Sequence, residues 1–154
     1  RTELLSADST TFAQPAIEPT NDLPNPYKST APWGNLPAGQ TWGALNGVAI
    51  DNDGNIVVVN MGVDEVLTVS PAGQVLKTEK AAMAGNDGIV IMRDGTKYLS
   101  SVQRGGVSRI RPGQPAELIA SGIPMAASMC YDAGANQLVI PMNSNNALAF
   151  IKLN

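Results

Sequence analysis

A stretch of about forty residues is written twice in this chain, and a third time in degraded form. The first copy reads LNGVAIDNDGNIVVVN, from Leu45 to Asn60, and the second NDGIVIMRDGTKYLSS, from Asn86 to Ser101. Superposed, they match Gly47 with Gly88 and Asp53-Gly54 with Asp94-Gly95, a step of 41 residues. A third copy, MAASMCYDAGANQLVIPMN, begins near Met125 and sets Ala127 over the glycine, a step of 39. A period of this length marks a stack of like units, each burying its apolar face on its neighbours.

Within each unit the pattern is strand and turn. Residues 47–51 alternate, and Asp53-Gly54 is a two-residue hairpin signal. Residues 55–60 (NIVVVN) form a β-branched run of the kind buried on both faces. Strands at 66–70 and 74–78 follow, joined by Pro71-Ala72-Gly73. The second unit predicts strands at 89–92, 97–101, 107–111 and 116–120; the third predicts 128–131, 137–141 and 147–153, with no fourth. No long apolar stripe at helical spacing occurs. Four antiparallel strands per forty-odd residues make a β-propeller blade. The predicted fold is all-β, with three blades at about 45–80, 86–120 and 125–154, half of a six-bladed ring. A β-sandwich also has short, evenly spaced strands, but it gives no reason for the self-match.

Residues 1–32 carry five of the eleven prolines and read as an extended N-terminal arm ahead of a blade unit at 33–154. The best strand candidates in the arm are residues 4–5 and 10–13, which would supply the outer strand that the last blade lacks. The chain has 154 residues, 44% hydrophobic and 15% charged, enough for one real core. A net charge of −3 argues against nucleic acid, whose phosphates need a basic face. No apolar run reaches membrane-spanning length. The lone cysteine, Cys130, excludes an intrachain disulfide; aligned over Ile50 and Ile91, it is expected to be a small core residue. There is no histidine, which removes Ser-His-Asp triads, Cys-His pairs and histidine metal sites. A first residue that is not Met and a Ser/Thr/Pro-rich opening fit an exported protein, periplasmic or extracellular.

The strings NGVAIDNDGNIVVVN and NDGIVIMRDGTKYLSSVQRGGVSRIRPGQPAELIASGIP resemble the six-bladed propellers of the senescence-marker-protein/gluconolactonase family and the related NHL-repeat proteins. The entry PNPYKSTAPWGNLPAGQTWGALNG looks like the opening of NHL-type propellers, so the likeness covers about residues 24–154. The resemblance implies a divalent cation on the central axis, often calcium, held by oxygens that precede the innermost strands. Its matching positions here are Asn46, before Gly47, and Asp87, before Gly88; Ala126 takes the third place. The family's glycine-flanked Glu ahead of a Trp has no counterpart. Asn-Gly and Asp-Gly are also common turn dipeptides, so a turn-shaping role for Asn46 and Asp87 stays open beside the metal reading.

Two function classes follow. One is a non-catalytic propeller that binds or assembles through its axial face or rim, which the missing glutamate and histidine favour. The other is a calcium-dependent lactonase or esterase of the gluconolactonase type, which the retained Asn46 and Asp87 favour. Weaker ligand-binding candidates are Trp42, beside Trp33, and Arg104, whose guanidinium suits a carboxylate. Asp53 and Asp94 are assigned to turns, Met125 and Met129 to core filling, and residues 143–146 (NSNN) to a polar turn. Three blades do not close a ring, since closure takes about four to eight. Self-association, or the remaining blades of a propeller, is therefore expected to cover the open faces.

Overall fold

The computed structural model describes Pro24, Pro26, Ala38, Gly39 and residues 43–154. The chain divides into two units, Arg1–Ala31 and Pro32–Asn154. The strand candidates of the arm, and Trp33 and Trp42, lie outside the described residues. The described residues of the second unit form eleven strands in three antiparallel sheets. Blade 1 is β1 (Leu45–Ile50), β2 (Ile56–Asn60), β3 (Glu65–Val69) and β4 (Val75–Lys80). Blade 2 is β5 (Asn86–Ile91), β6 (Lys97–Ser101), β7 (Gly106–Ile110) and β8 (Glu117–Ser121). Blade 3 is β9 (Cys130–Asp132), β10 (Gln137–Met142) and β11 (Ala147–Lys152). Each sheet is a meander in which sequence neighbours pair. Every strand read from the sequence within the three blades is present, in order, with bounds moved by up to three residues at an end.

Each blade sends alternate residues to its two neighbours, because side chains alternate across a strand. Blade 1 presents Val57, Val59 and Val66 to Leu99, Ile110, Ile89 and Ile91 of blade 2. The opposite face of blade 2 presents Val90, Tyr98 and Val107 to Met129, Tyr131, Leu138 and Ile140 of blade 3. The run Val57-Val58-Val59 is buried throughout: Val57 and Val59 face blade 2, and Val58 lies on the opposite side of the sheet, paired with Val48. Polar contacts cross the same junctions. Glu79 on β4 forms an ion pair with Lys97 on β6 at 2.9 Å, each side chain 11% exposed. The buried Ser100 hydroxyl accepts from Gly88 N and donates to Ala127 O.

The glycines of the repeat sit where successive first strands come closest. A Cβ built on Gly47 would lie 2.5 Å from Asp87 O; one on Gly88 would lie 2.8 Å from Met129 N. Neither has a positive φ, so close approach, not backbone freedom, requires glycine.

Pairing corrects the alignment of the third copy. Leu45 pairs with Asn60, Asn86 with Ser101, and Ala126 bridges to Met142. Ala127, not Ala126, is thus the counterpart of Asn46 and Asp87, and Ser128 the counterpart of the glycines. The same shift places Tyr131, not Cys130, opposite Ile50 and Ile91. Cys130 pairs with Val139 on the face turned away from blade 2 and is exposed, contrary to the core assignment. A slip of one residue in a strand reverses the face of every side chain. Met125 is 40% exposed with φ 53° in the β8–β9 link, so it does not fill the core; Met129 does pack there.

The hairpins also differ from the two-residue expectation. Asp51 Oδ1 accepts from the backbone N–H of Asp53 and Asn55, and Oδ2 from Asn55 Nδ2, which builds a five-residue turn. Residues Asn143–Asn145 form a short 3-10 turn closed by Asn146 at φ 47°, the expected polar turn.

Candidate functional site at one end of the inner strands

β1, β5 and β9 are the strands through which successive blades approach most closely, so they form the inner edge of the stack. Antiparallel neighbours reverse direction. The starts of β1 and β5 therefore share one end with the β2–β3, β6–β7 and β10–β11 loops. The hairpins that carry Asp51, Asp53 and Asp94 lie at the other end. This separates the two kinds of acidic residue that look alike in the sequence.

At the first end the structure brings Asn46 and Asp87 together across the blade junction. Asn46 Nδ2 donates to Asp87 Oδ1 at 3.0 Å, on an accessible surface. The contact spans one repeat step, so it is tertiary, not a local turn. Asn46 sits at a β-bulge between Leu45 and Gly47, and a second bulge lies between Asn86 and Ile89. Asn52 makes a similar one-repeat contact at the opposite end, donating to Arg93 O at 2.8 Å.

The donor set can be weighed against a hard cation. The hydrogen bond uses the Asn46 amide nitrogen and one Asp87 oxygen, leaving Asn46 Oδ1 and Asp87 Oδ2 to face a ligand. Ala127 adds no side-chain oxygen, and its carbonyl accepts from Ser100. No group of three His, Cys, Asp or Glu among the described residues is placed to hold a metal. Calcium takes about six to eight oxygen ligands. The pair from one chain falls well short of a calcium cage.

Arg104 lies at this same end, on the β6–β7 loop. Its backbone N–H donates to Ser101 Oγ at 3.0 Å, and the residue is exposed. Among the described residues it shares no hydrogen bond or ion pair with Asp87.

Asn86, one position before Asp87, carries a role that the sequence reading missed. It is fully buried and donates to Met83 O at 3.2 Å and to Val63 O at 3.4 Å, tying the β2–β3 loop of blade 1 to blade 2. Its Oδ1 is buried without a partner. A polar side chain where the other units have Leu45 and Ala126 is the signal that would have found it.

At the hairpin end the carboxylates are held by their own turns. The Thr96 backbone N–H and hydroxyl bond to Asp94 and pull its pKa below 3.8. Burial raises that of Asp51, but bonds from Asn55 and Asp53 outweigh it, and the net shift is downward. These groups are spoken for as turn formers.

No protein-family model matches the chain, and no curated protein matches it. Solved structures do. A virginiamycin B lyase from Staphylococcus aureus superposes with a TM-score of 0.52 at 14% identity, over 71% of this chain and 41% of that one. A hydrazine synthase of Kuenenia stuttgartiensis gives 0.59 at 21% identity, over 70% and 34%. An auxiliary nutrient binding protein from Bacteroides ovatus gives 0.57 at 14% identity, over 71% and 28%. This chain therefore spans less than half the length of each. At these identities the likeness concerns fold alone: it is that of a β-propeller, present here in part.

Proposed function

We propose that this chain is a non-catalytic β-propeller module that works by association, its open blade faces joining further blades. One observation carries the reading: large apolar side chains stand exposed on the outer sheets at both ends of the described stack. Val48 and Ile50 of blade 1 are 67% and 62% exposed; Leu148 and Phe150 of blade 3 are 53% and 59% exposed. Together with β11, an edge strand among the described residues, such surfaces are characteristic of an interaction site. The six-bladed gluconolactonase-like and NHL-repeat type, and export from the cell, belong to this reading on the strength of the sequence. No helix among the described residues is long and apolar enough to cross a membrane.

Light scattering tests the proposal. The native chain is expected to weigh more than its 16.0 kDa in solution, and Phe150→Asp to return it to that mass with an unchanged circular dichroism spectrum. A well-folded native monomer would overturn it.

The contact between Asn46 and Asp87 favours a second reading. In it the pair contributes two oxygens to a divalent cation, as in a calcium-dependent lactonase or esterase. A cation that binds only the folded form must raise its melting temperature. Calcium at millimolar concentration should then stabilise the native chain and leave Asp87→Ala unmoved. Equal curves with and without calcium remove this reading.

A further inference from the structure

We infer that the open faces are covered by a second copy of this chain, docked head to tail, with blade 3 of each copy packed on blade 1 of the other. The inference rests on the assembly reading and adds the identity of the partner and the register of the contact.

The faces left open are the two that the internal junctions use. Blade 2 turns Val90, paired with Tyr98, toward Met129 and Tyr131 of blade 3. Cys130, paired with Val139, holds the place of Val90 in blade 3, and among the described residues no strand packs on that face. Val48 and Ile50 hold the places of Met129 and Tyr131 in blade 1, and among the described residues no strand packs on them. One face thus supplies the trailing half of a blade junction and the other the leading half.

Their shapes are suited to each other. The blade 1 face has a hollow of about 340 Å³ lined by Leu45, Asn46, Gly47, Val48, Ile56 and Val58. Blade 3 offers Leu148 and Phe150 to fill it. Each copy carries one leading and one trailing face, so two copies satisfy both faces of both chains at once. A head-to-tail contact whose rotation closes gives a ring and leaves no face free.

Ser128 explains why this junction is separable. Its counterparts Gly47 and Gly88 let the next inner strand approach to where a Cβ would meet backbone at 2.5 and 2.8 Å. A serine there holds the neighbouring strand further off. The third junction is wider than the two inside the chain, as a contact between separately folded copies can be. Closure also brings a second Asn46–Asp87 pair to the same end of one channel, doubling the oxygen donors there.

Disulfide trapping tests the register. Cys130 is the only thiol, and Val48 lies on the far side of the stack with blade 2 between. Val48→Cys therefore sets two thiols that meet only between copies. Mild oxidation is expected to give a reducible species of twice the chain mass. Adding Phe150→Asp should abolish it. The native chain, and Val48→Cys combined with Cys130→Ser, should not cross-link. Equal cross-linking by either single-thiol protein means like face on like face and overturns the inference. A native mass above that of one chain with no cross-link in Val48→Cys also overturns it, while the assembly reading stands. A native monomer ends both.

Discussion

Asp87 and Asp94 stand seven positions apart on opposite ends of β5, and their surroundings assign them different work. Asp94 is closed into its own hairpin by Thr96, whereas Asp87 meets Asn46 of the preceding blade. Asp94 titrates below its ordinary value because the Thr96 N–H and hydroxyl favour the charged form. A carboxylate with a depressed folded pKa stabilises the fold above the unfolded value of about 4, and that contribution fades as pH falls through the folded value. Asp94→Asn cannot titrate. Urea melts between pH 6 and pH 2.5 should show the native chain losing more stability on acidification than the variant. Parallel curves would mean that the hairpin bonds do not couple to folding. Glu79 acts in the same direction at a blade junction: burial raises its pKa, the bonds from Lys77 and Lys97 lower it, and the net shift is downward. Glu79→Gln removes the ion pair to Lys97, leaving a neutral amide in its place, and is expected to cost about 1 kcal/mol, read from denaturant midpoints. A variant as stable as the native chain would show that the pair contributes nothing.

A blade is held to the next one by what its first strand omits. Gly47→Ala would set a methyl group 2.5 Å from the Asp87 carbonyl, against backbone that cannot rotate away. The blades must separate, at a cost of roughly 1–3 kcal/mol. Gly134 is exposed in the β9–β10 turn, and its added Cβ would meet only Asp132 Oδ1 at 3.4 Å. Gly134→Ala should stay within about 0.5 kcal/mol of the native chain. If the two variants melt alike, close approach is not what Gly47 provides. The strand order and the blade count were legible in the sequence because the 41-residue step repeats both the turn residues and the alternation. The same step brings Asn46 beside Asp87, since equivalent positions in successive blades become neighbours. The third copy was not legible, because its step from blade 2 is 40 at the paired positions, and one residue is enough to turn Cys130 outward. Asn86 and Ser100 were missed because they are polar groups inside strands, where periodicity predicts burial but says nothing of partners.

Among the described residues the three-blade stack has two internal junctions and two outer faces that carry exposed apolar side chains, and this governs how its stability depends on conditions. Every internal junction is buried by the chain itself and is independent of concentration. The outer faces are satisfied only by association, so their contribution follows mass action. For a chain that unfolds from a dimer, a tenfold rise in concentration adds about 1.4 kcal/mol per dimer, or about 0.7 kcal/mol per chain. For a domain of this size, that is roughly 2–4 °C in melting temperature. Calorimetry over a hundredfold range should therefore show a steady rise for the native chain and none for Phe150→Asp, whose protruding ring is replaced by a charge that cannot enter an apolar hollow. A concentration-independent native midpoint would mean that the open faces add nothing to the folded state. The Gly47→Ala variant supplies the contrast. Its damage lies inside the chain, so its midpoint should fall at every concentration while keeping the native slope.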